Sequence, residues 1–226
     1  STGIKAIDIP IDIAYEDENL LIVNKEPYII VHPTQKKVDK TLANAVVNYF
    51  EKTLGKTLVP RFYNRLDMNT SGLIIIAKNA YTQAFLQDKT EVKKTYKVIV
   101  SGIIEEDDFF IELPIGKIGD DLRRIELSEE NGGKSAKTHI KVLERNRKKN
   151  ITFLEARLYT GRTHQIRAHL SLIGHPLVGD ELYGGDINLA KRQMLHAYKL
   201  EFQNPKTLEN LKVEIEIPID MKELLK

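Results

Sequence analysis

Tyr63-Asn64-Arg65-Leu66-Asp67-Met68-Asn69-Thr70-Ser71-Gly72-Leu73, running on into Ile74-Ile75-Ile76-Ala77-Lys78, decides how this chain is built. The apolar run from Leu73 to Ala77 has strand length and must be buried, and the turn residues Asn69-Thr70-Ser71-Gly72 mark the entrance to it. One carboxylate, Asp67, is thereby carried on a loop held by a rigid strand, between Arg65 and a Thr-Ser-Gly turn. Catalytic groups are mounted in this way. So, however, is the ordinary Asx-turn aspartate that only orders the turn around it, and Asp67 taken singly does not separate the two.

Working outward, residues 19–25 read as a short apolar strand, and residues 29–31 as a second lead-in to a sheet, since Pro33 pushes the residue before it to extended geometry. Thr41 can cap a helix whose apolar positions Leu42, Val46, Tyr49 and Leu54 recur at helical spacing and which ends near Gly55. Residues 80–89 form a short helix. Residues 95–100, 109–113, 122–127, 136–143 and 151–159 are then strand-like with no helix between them. Connections this short cannot make parallel crossovers, so these strands form antiparallel hairpins and meanders. Residues 146–150, with Arg145, Arg147, Lys148 and Lys149, are a polar hairpin tip that is ordinarily a solvated turn and otherwise a nonspecific RNA contact. Residues 163–173 read as a helix with Ile166, Leu170 and Ile173 on its buried stripe, stopped by Gly174 and Pro176. Strands follow at 195–202 and 211–217. The fold class is α+β: a mixed, mainly antiparallel central sheet with flanking helices.

With 226 residues, 42% hydrophobic and 29% charged, the chain can bury a real core as one domain, with room for two lobes. Its first residue is Ser1 rather than Met, which suggests a processed or trimmed terminus. No stretch approaches the roughly 18 apolar residues of a membrane span, and no charged-then-apolar leader is present, so the expected address is the cytoplasm, away from membranes. The absence of cysteine excludes disulfides and thiolate metal sites. The net charge of +2 is too small to announce a nucleic-acid partner.

Two further features bear on chemistry. In residues 95–100, Tyr96, Val98 and Val100 share one strand face, so Tyr96 leans inward if that face packs on the core. In Thr160-Gly161-Arg162-Thr163-His164-Gln165-Ile166-Arg167-Ala168-His169, two Arg and two His crowd a turn and the start of a helix. Arg167 lies across that helix from Leu170 and Ile173, which for such a run read alone indicates a solvated face. Arg162 and His164 precede a helix N-terminus, where anions bind, so a phosphate-facing surface is the rival. His164 and His169 sit on different helix faces without an HExxH pattern, so no metal site is expected. No GxGxxG or GxxxxGK[ST] pattern offers a cradle for a nucleotide cofactor.

These segments together carry a resemblance. Asn64-Arg65-Leu66-Asp67-x-x-Thr70-Ser71-Gly72-Leu73, then Lys94-x-Tyr96, then Gly161-Arg162-Thr163-His164-Gln165-Ile166-Arg167-x-His169, then Gly174-His175-Pro176-Leu177-Val178-Gly179-Asp180-x-x-Tyr183-Gly184, then Leu195-His196-Ala197, resemble in order and spacing the RluA-type pseudouridine synthases. The likeness extends from about Ile11 to the Pro218-Ile219-Asp220-Met221 tail. It implies a catalytic domain over residues 11–226, with residues 1–10 an extension or linker remnant. It further implies isomerisation of uridine in RNA, ribosomal or transfer, with the target base flipped out, no cofactor, no metal and a monomeric enzyme. Asp67 matches the catalytic aspartate, Arg167 the arginine that pairs with it, and Tyr96 the active-site tyrosine that stacks on the target ring. Leu195 matches the apolar residue packing on the other side of the base, and Arg65 the residue that enters the RNA stack, its bland alternative being an ion pair. Thr70, Arg162 and His164 are grouped with the RNA-binding residues.

Two departures from the family pattern stand out. Asn64 occupies a position where most members place His, and at most eight residues precede the segment beginning near Ile9, where many relatives carry a small basic RNA-binding module. Two other functions fit the sequence less well. A non-catalytic RNA-binding or ribosome-assembly factor would not need the set Asp67, Tyr96 and Arg167, and a nucleoside hydrolase-like enzyme would show a second acid/base carboxylate or a calcium-binding aspartate cluster, which the sequence lacks.

Overall fold

The apolar run that follows the Asp67 turn is a strand, Ser71–Ala77, with every residue buried. In a computed structural model of the chain, which describes residues 3–36 and 39–226, this strand is the fourth of twelve. In order, the elements are β1 (Asp12–Glu16), β2 (Leu20–Lys25), α1 (Leu42–Leu54), β3 (Arg61–Phe62), β4 (Ser71–Ala77), α2 (Ala80–Asp88), β5 (Lys93–Ser101), β6 (Asp108–Glu112), β7 (Ile115–Gly116), β8 (Ile125–Glu126), β9 (Lys137–Asn146), β10 (Ile151–Leu158), α3 (Gln165–Leu172), β11 (Leu195–Gln203), β12 (Asn210–Glu214) and α4 (Ile219–Leu225). This is the expected mixed α+β fold with mainly antiparallel strands. Ser1 and Thr2 of the expected extension lie outside the described residues.

The chain divides into two compact units. The first holds the described residues up to Val92 together with Tyr198–Ile215. In it β1, β2 and β4 run antiparallel in that order, with Ile22 opposite Ile75 and Asn24 opposite Leu73. β3 also pairs with β4, and the Lys199–Gln203 part of β11 pairs with β12. Leu20, Ile22, Leu73, Ile75, Leu86 and Phe202 form the centre of one core cluster, where each buried side chain stabilises the fold by roughly 1.5–3 kcal/mol. α1 starts as expected at Thr41, whose hydroxyl accepts from the Asn44 N–H in a reciprocal capping box. It ends at Gly55, which adopts φ 66°.

The second unit holds Lys93–Ala197 and Glu216–Lys226. Here β5, β10, β9 and β6 lie side by side in that order, each antiparallel to the next, with Leu154 opposite Val98 and Ala156 opposite Tyr96, so β5 neighbours β10 rather than the β6 that follows it in the chain. β7 and β8 make a separate two-stranded ribbon. α4, which the sequence did not announce, drops Met221 into a cluster with Ile99, Ile151, Val178 and Met194.

Three expectations are corrected. Residues 29–31 do not enter a sheet, because the carbonyls of Ile30 and Val31 accept from the N–H groups of Leu42 and Ala43, both at 2.9 Å. They satisfy donors at the start of α1 that have no partner within the helix. Residues 122–127 shrink to the two-residue β8, because the Arg123 N–H goes to the Asp121 carboxylate and the Arg124 N–H to the Tyr183 hydroxyl, which removes both from any ladder. Finally, α3 is not striped: Gln165 to Leu170 are all buried, Arg167 included.

Candidate active site

In the first unit, the Asp67 turn is closed by a hydrogen bond of 3.0 Å from the Thr70 N–H to the Asp67 carbonyl. Thr70 is buried, while Arg65 and Asp67 are exposed. The turn is pinned from below by Lys25, only 2% exposed, whose ammonium donates to the carbonyls of Glu26 (2.7 Å), Ile29 (2.8 Å) and Met68 (3.0 Å). An ammonium has three donors and no acceptor, so Lys25 meets three carbonyls with a matched charge-assisted set. Asn64 fixes the upstream arm, its amide donating to the Leu73 carbonyl at 3.1 Å and accepting from the Ile75 N–H at 2.9 Å. The side chain thus binds the β4 backbone as a paired strand residue would, which is what the departure at this position accomplishes. Among the described residues no ion pair within 4.0 Å involves Arg65. Its charge, after burial, helps hold the His32 imidazole below its ordinary pKa.

In the second unit, Arg167 projects from α3 onto Asp180. Nε meets Oδ2 at 2.7 Å and Nη2 meets Oδ1 at 2.8 Å, a bidentate fork. The Tyr183 ring lies 5.1 Å from the guanidinium carbon. Tyr183 is itself held, its hydroxyl accepting from the Arg124 N–H at 2.8 Å and lying 3.0 Å from His164 Nδ1. Burial pushes the Tyr183 phenol above its ordinary pKa, so it stays neutral. His164 occupies the N-cap with φ 57°, a left-handed conformation uncommon outside glycine, and such strain persists only where surrounding contacts impose it.

The turn before α3 is held by Gln165, which accepts from the Arg162 N–H and the Thr160 hydroxyl and donates to the Lys137 carbonyl and the Thr138 hydroxyl. Arg162 Nε donates to the Ser135 carbonyl at 2.8 Å. His169 spends both ring nitrogens on structure: Nε2 donates to the Leu113 carbonyl, which leaves Nδ1 to accept from Thr138. Burial lowers its pKa and keeps it neutral.

Tyr96 and Leu195 are 8% and 5% exposed. Leu195 begins β11, and its carbonyl, with that of Gln193, accepts from Arg192 Nη1 at 3.4 and 3.2 Å. Arg192 is fully buried and grips Asp220 through Nε (2.6 Å) and Nη2 (3.0 Å). Gly179 completes the scaffold: with φ +80°, a Cβ there would lie 1.9 Å from the Arg192 carbonyl oxygen.

The expected site residues therefore fall into two sets. Arg65, Asp67 and Thr70 share one turn of the first unit, and Tyr96, Arg162, His164, Arg167 and Leu195 belong to the second. Sequence reasoning missed Lys25, Asp180 and the Arg192–Asp220 pair as supports. Asp180 stood in the Gly179-Asp180-x-x-Tyr183 segment, but nothing local tied it to Arg167, and Lys25 looked like the polar end of a strand.

A family model described as RNA pseudouridylate synthase matches residues 19–172. The uncharacterized RNA pseudouridine synthase YhcT of Bacillus subtilis is 41% identical over 217 residues, which is 95% of this chain and 71% of that protein. Ribosomal large subunit pseudouridine synthase D of Vibrio cholerae is 36% identical over 239 residues, 97% of this chain and 71% of that protein. The solved structure of human RNA pseudouridylate synthase domain containing 1 matches with a TM-score of 0.73 and 27% identity, over 92% of this chain and 83% of that one. The chain belongs to the RNA pseudouridylate synthase family, as an RluA-type enzyme.

Proposed function

We propose that the enzyme converts specific uridines of structured RNA to pseudouridine with Asp67 as the catalytic carboxylate. The observation that carries this reading is the mounting of Asp67, an exposed acid on a turn whose neighbour Met68 is anchored by the buried Lys25. The reaction breaks the glycosidic bond from the sugar to the ring nitrogen, rotates the uracil, forms a bond to the ring carbon opposite, and removes the proton from that carbon while the freed ring nitrogen takes one up, so that the product is an isomer. A carboxylate can attack the sugar, attack the ring, or remove a sugar proton to give a glycal, and each route needs it ionised.

Arg167 is assigned the opposite charge that favours the ionised form, Tyr96 the stacking face and a role in proton removal, and Leu195 the packing surface for the base. Arg65 is assigned to enter the RNA stack when the target nucleotide flips out, and Thr70, Arg162 and His164 to bind RNA. The catalytic domain spans residues 11–226 and acts in the cytoplasm as a monomer without cofactor. Relatives named for the ribosomal large subunit make ribosomal RNA the first substrate to test, with transfer RNA second.

The test is pseudouridine formation in ribosomal and transfer RNA transcripts by the purified chain. Wild type should convert uridine, and Asp67→Asn should abolish conversion while RNA affinity holds. Melting curves of wild type and Asp67→Asn are compared, so that loss of conversion is read on a folded protein. Activity in Asp67→Asn would sink the assignment, and a wild type that binds RNA without turnover would favour a binding factor.

A further inference from the structure

The second unit carries a cleft of about 310 Å³, walled by β7, by the segment at Gly132 and Lys134, and by the turn from Gly161 to Thr163. Its charged lining is all of one sign: Lys117, Arg124, Lys134 and Arg162. None of the four forms an ion pair with a carboxylate among the described residues. The nearby Asp121 is engaged by Arg123, and Lys117 acts on it only as a smaller, longer-range influence.

Both arginines are held in place at one N–H: Arg162 Nε donates to the Ser135 carbonyl and Arg124 Nη1 to the Leu122 carbonyl. The Lys134 wall is fixed by two backbone hydrogen bonds with Ile115, at 2.9 and 3.0 Å. Bare backbone at Gly116, Gly132 and Gly161 lets a ligand approach closely. At Gly116 a Cβ would come 2.7 Å from the end of the Leu127 side chain and 3.2 Å from the Gly133 Cα, so the backbone segments pack closely there.

Four like charges converging on one cleft repel one another unless an anion occupies it, and the anchored guanidiniums suit phosphate oxygens. Ile115 aside, no apolar or aromatic side chain lines the cleft, so it offers nothing on which a base could stack. It therefore suits a phosphate backbone rather than a nucleobase. The Arg124 N–H also holds the Tyr183 hydroxyl, and the Tyr183 ring packs on Arg167, which ties one wall of the cleft to the candidate active site within the same unit.

We infer that this cleft binds the phosphodiester backbone of the substrate RNA and sets the position of the strand relative to Arg167. This inference rests on the proposed function and adds to it a phosphate-reading site built from Lys117, Arg124 and Lys134 around Arg162.

The test compares the full chain with Lys117→Ala/Lys134→Ala, two exposed positions whose loss should leave the melting curve unchanged. The affinity of each protein for a labelled single-stranded RNA 20-mer is measured across sodium chloride concentrations. Each phosphate contact on a single strand contributes about 0.7 to the salt slope, so the double variant should bind more weakly with a slope shallower by about 1.4. Lys117→Arg/Lys134→Arg should restore the wild-type slope. An unchanged slope in a folded alanine variant overturns the inference. So does binding of inorganic pyrophosphate in the cleft that saturating RNA fails to displace, since the site would then serve a free phosphate compound. Pseudouridine formation by wild type is scored separately. An unchanged slope with normal turnover defeats the cleft alone, whereas a shallower slope with no turnover by wild type supports the cleft and defeats the catalytic reading.

Discussion

Asp180 takes Arg167 through both carboxylate oxygens, at 2.7 and 2.8 Å, and the two side chains are 1% and 8% exposed. A buried guanidinium held in this way cannot rotate away, so its position is set before any RNA arrives. The same fork explains why Arg167 is not a solvated helix residue, and at i, i+3 it lies only about 60° from Leu170 around α3 rather than across from it.

Removing one partner of a buried pair leaves the other charge uncompensated, at a cost of about 3–5 kcal/mol. Asp180→Asn should therefore lower the unfolding free energy by that order in urea titrations and reduce turnover. A loss under about 1 kcal/mol would mean that Asp180 does not hold Arg167 in solution.

Lys25→Met keeps most of the side-chain volume and removes the donor to three carbonyls. Each hydrogen bond to a charged group contributes about 1.5–3 kcal/mol, so the variant should lose at least about 3 kcal/mol in urea unfolding. Because Met68 is one of the three anchors, kcat should fall more than RNA affinity does. Unchanged kcat in a destabilised variant would show that the Asp67 turn keeps its shape without Lys25.

His196 predicts a pH dependence of stability. Its Nε2 donates to the Glu216 carbonyl at 2.9 Å, and burial of the ring pushes its pKa from 6.5 down to about 4. Between those values the unfolded chain binds the proton and the folded chain does not, so stability rises with pH across that window and is lost as pH falls from about 6.5 toward 4. The full effect is on the order of 3 kcal/mol. Burial lowers His32 and His169 in the same direction. Unfolding free energies measured from pH 7 to pH 4 should fall more steeply in wild type than in His196→Gln, and parallel curves would exclude His196 as the source.

Much of this protein was legible in one dimension because the signals are local. The Leu73 to Ala77 run is apolar enough to be only a buried strand, Thr41 and Gly55 bracket α1 through capping chemistry contained within a few residues, and the short connections after residue 93 force antiparallel pairing. The placement of Asp67 on a loop at the entrance of that strand followed from the same local pattern.

The tertiary structure decided what supports these groups, since that depends on partners far along the chain or on which backbone groups stay unsatisfied. Lys25 reaches a carbonyl 43 residues away, and Arg192 reaches Asp220, 28 residues on. The carbonyls of residues 30 and 31 turned from a sheet to a helix start because the first N–H groups of α1 needed acceptors. Periodicity can place a residue on a face, but α3 is buried from Gln165 to Leu170 and shows no stripe that would have singled out Arg167. Only folding chooses between water and the carboxylate of Asp180 as its partner, because the choice depends on a long-range contact that outweighs the hydration of the charge.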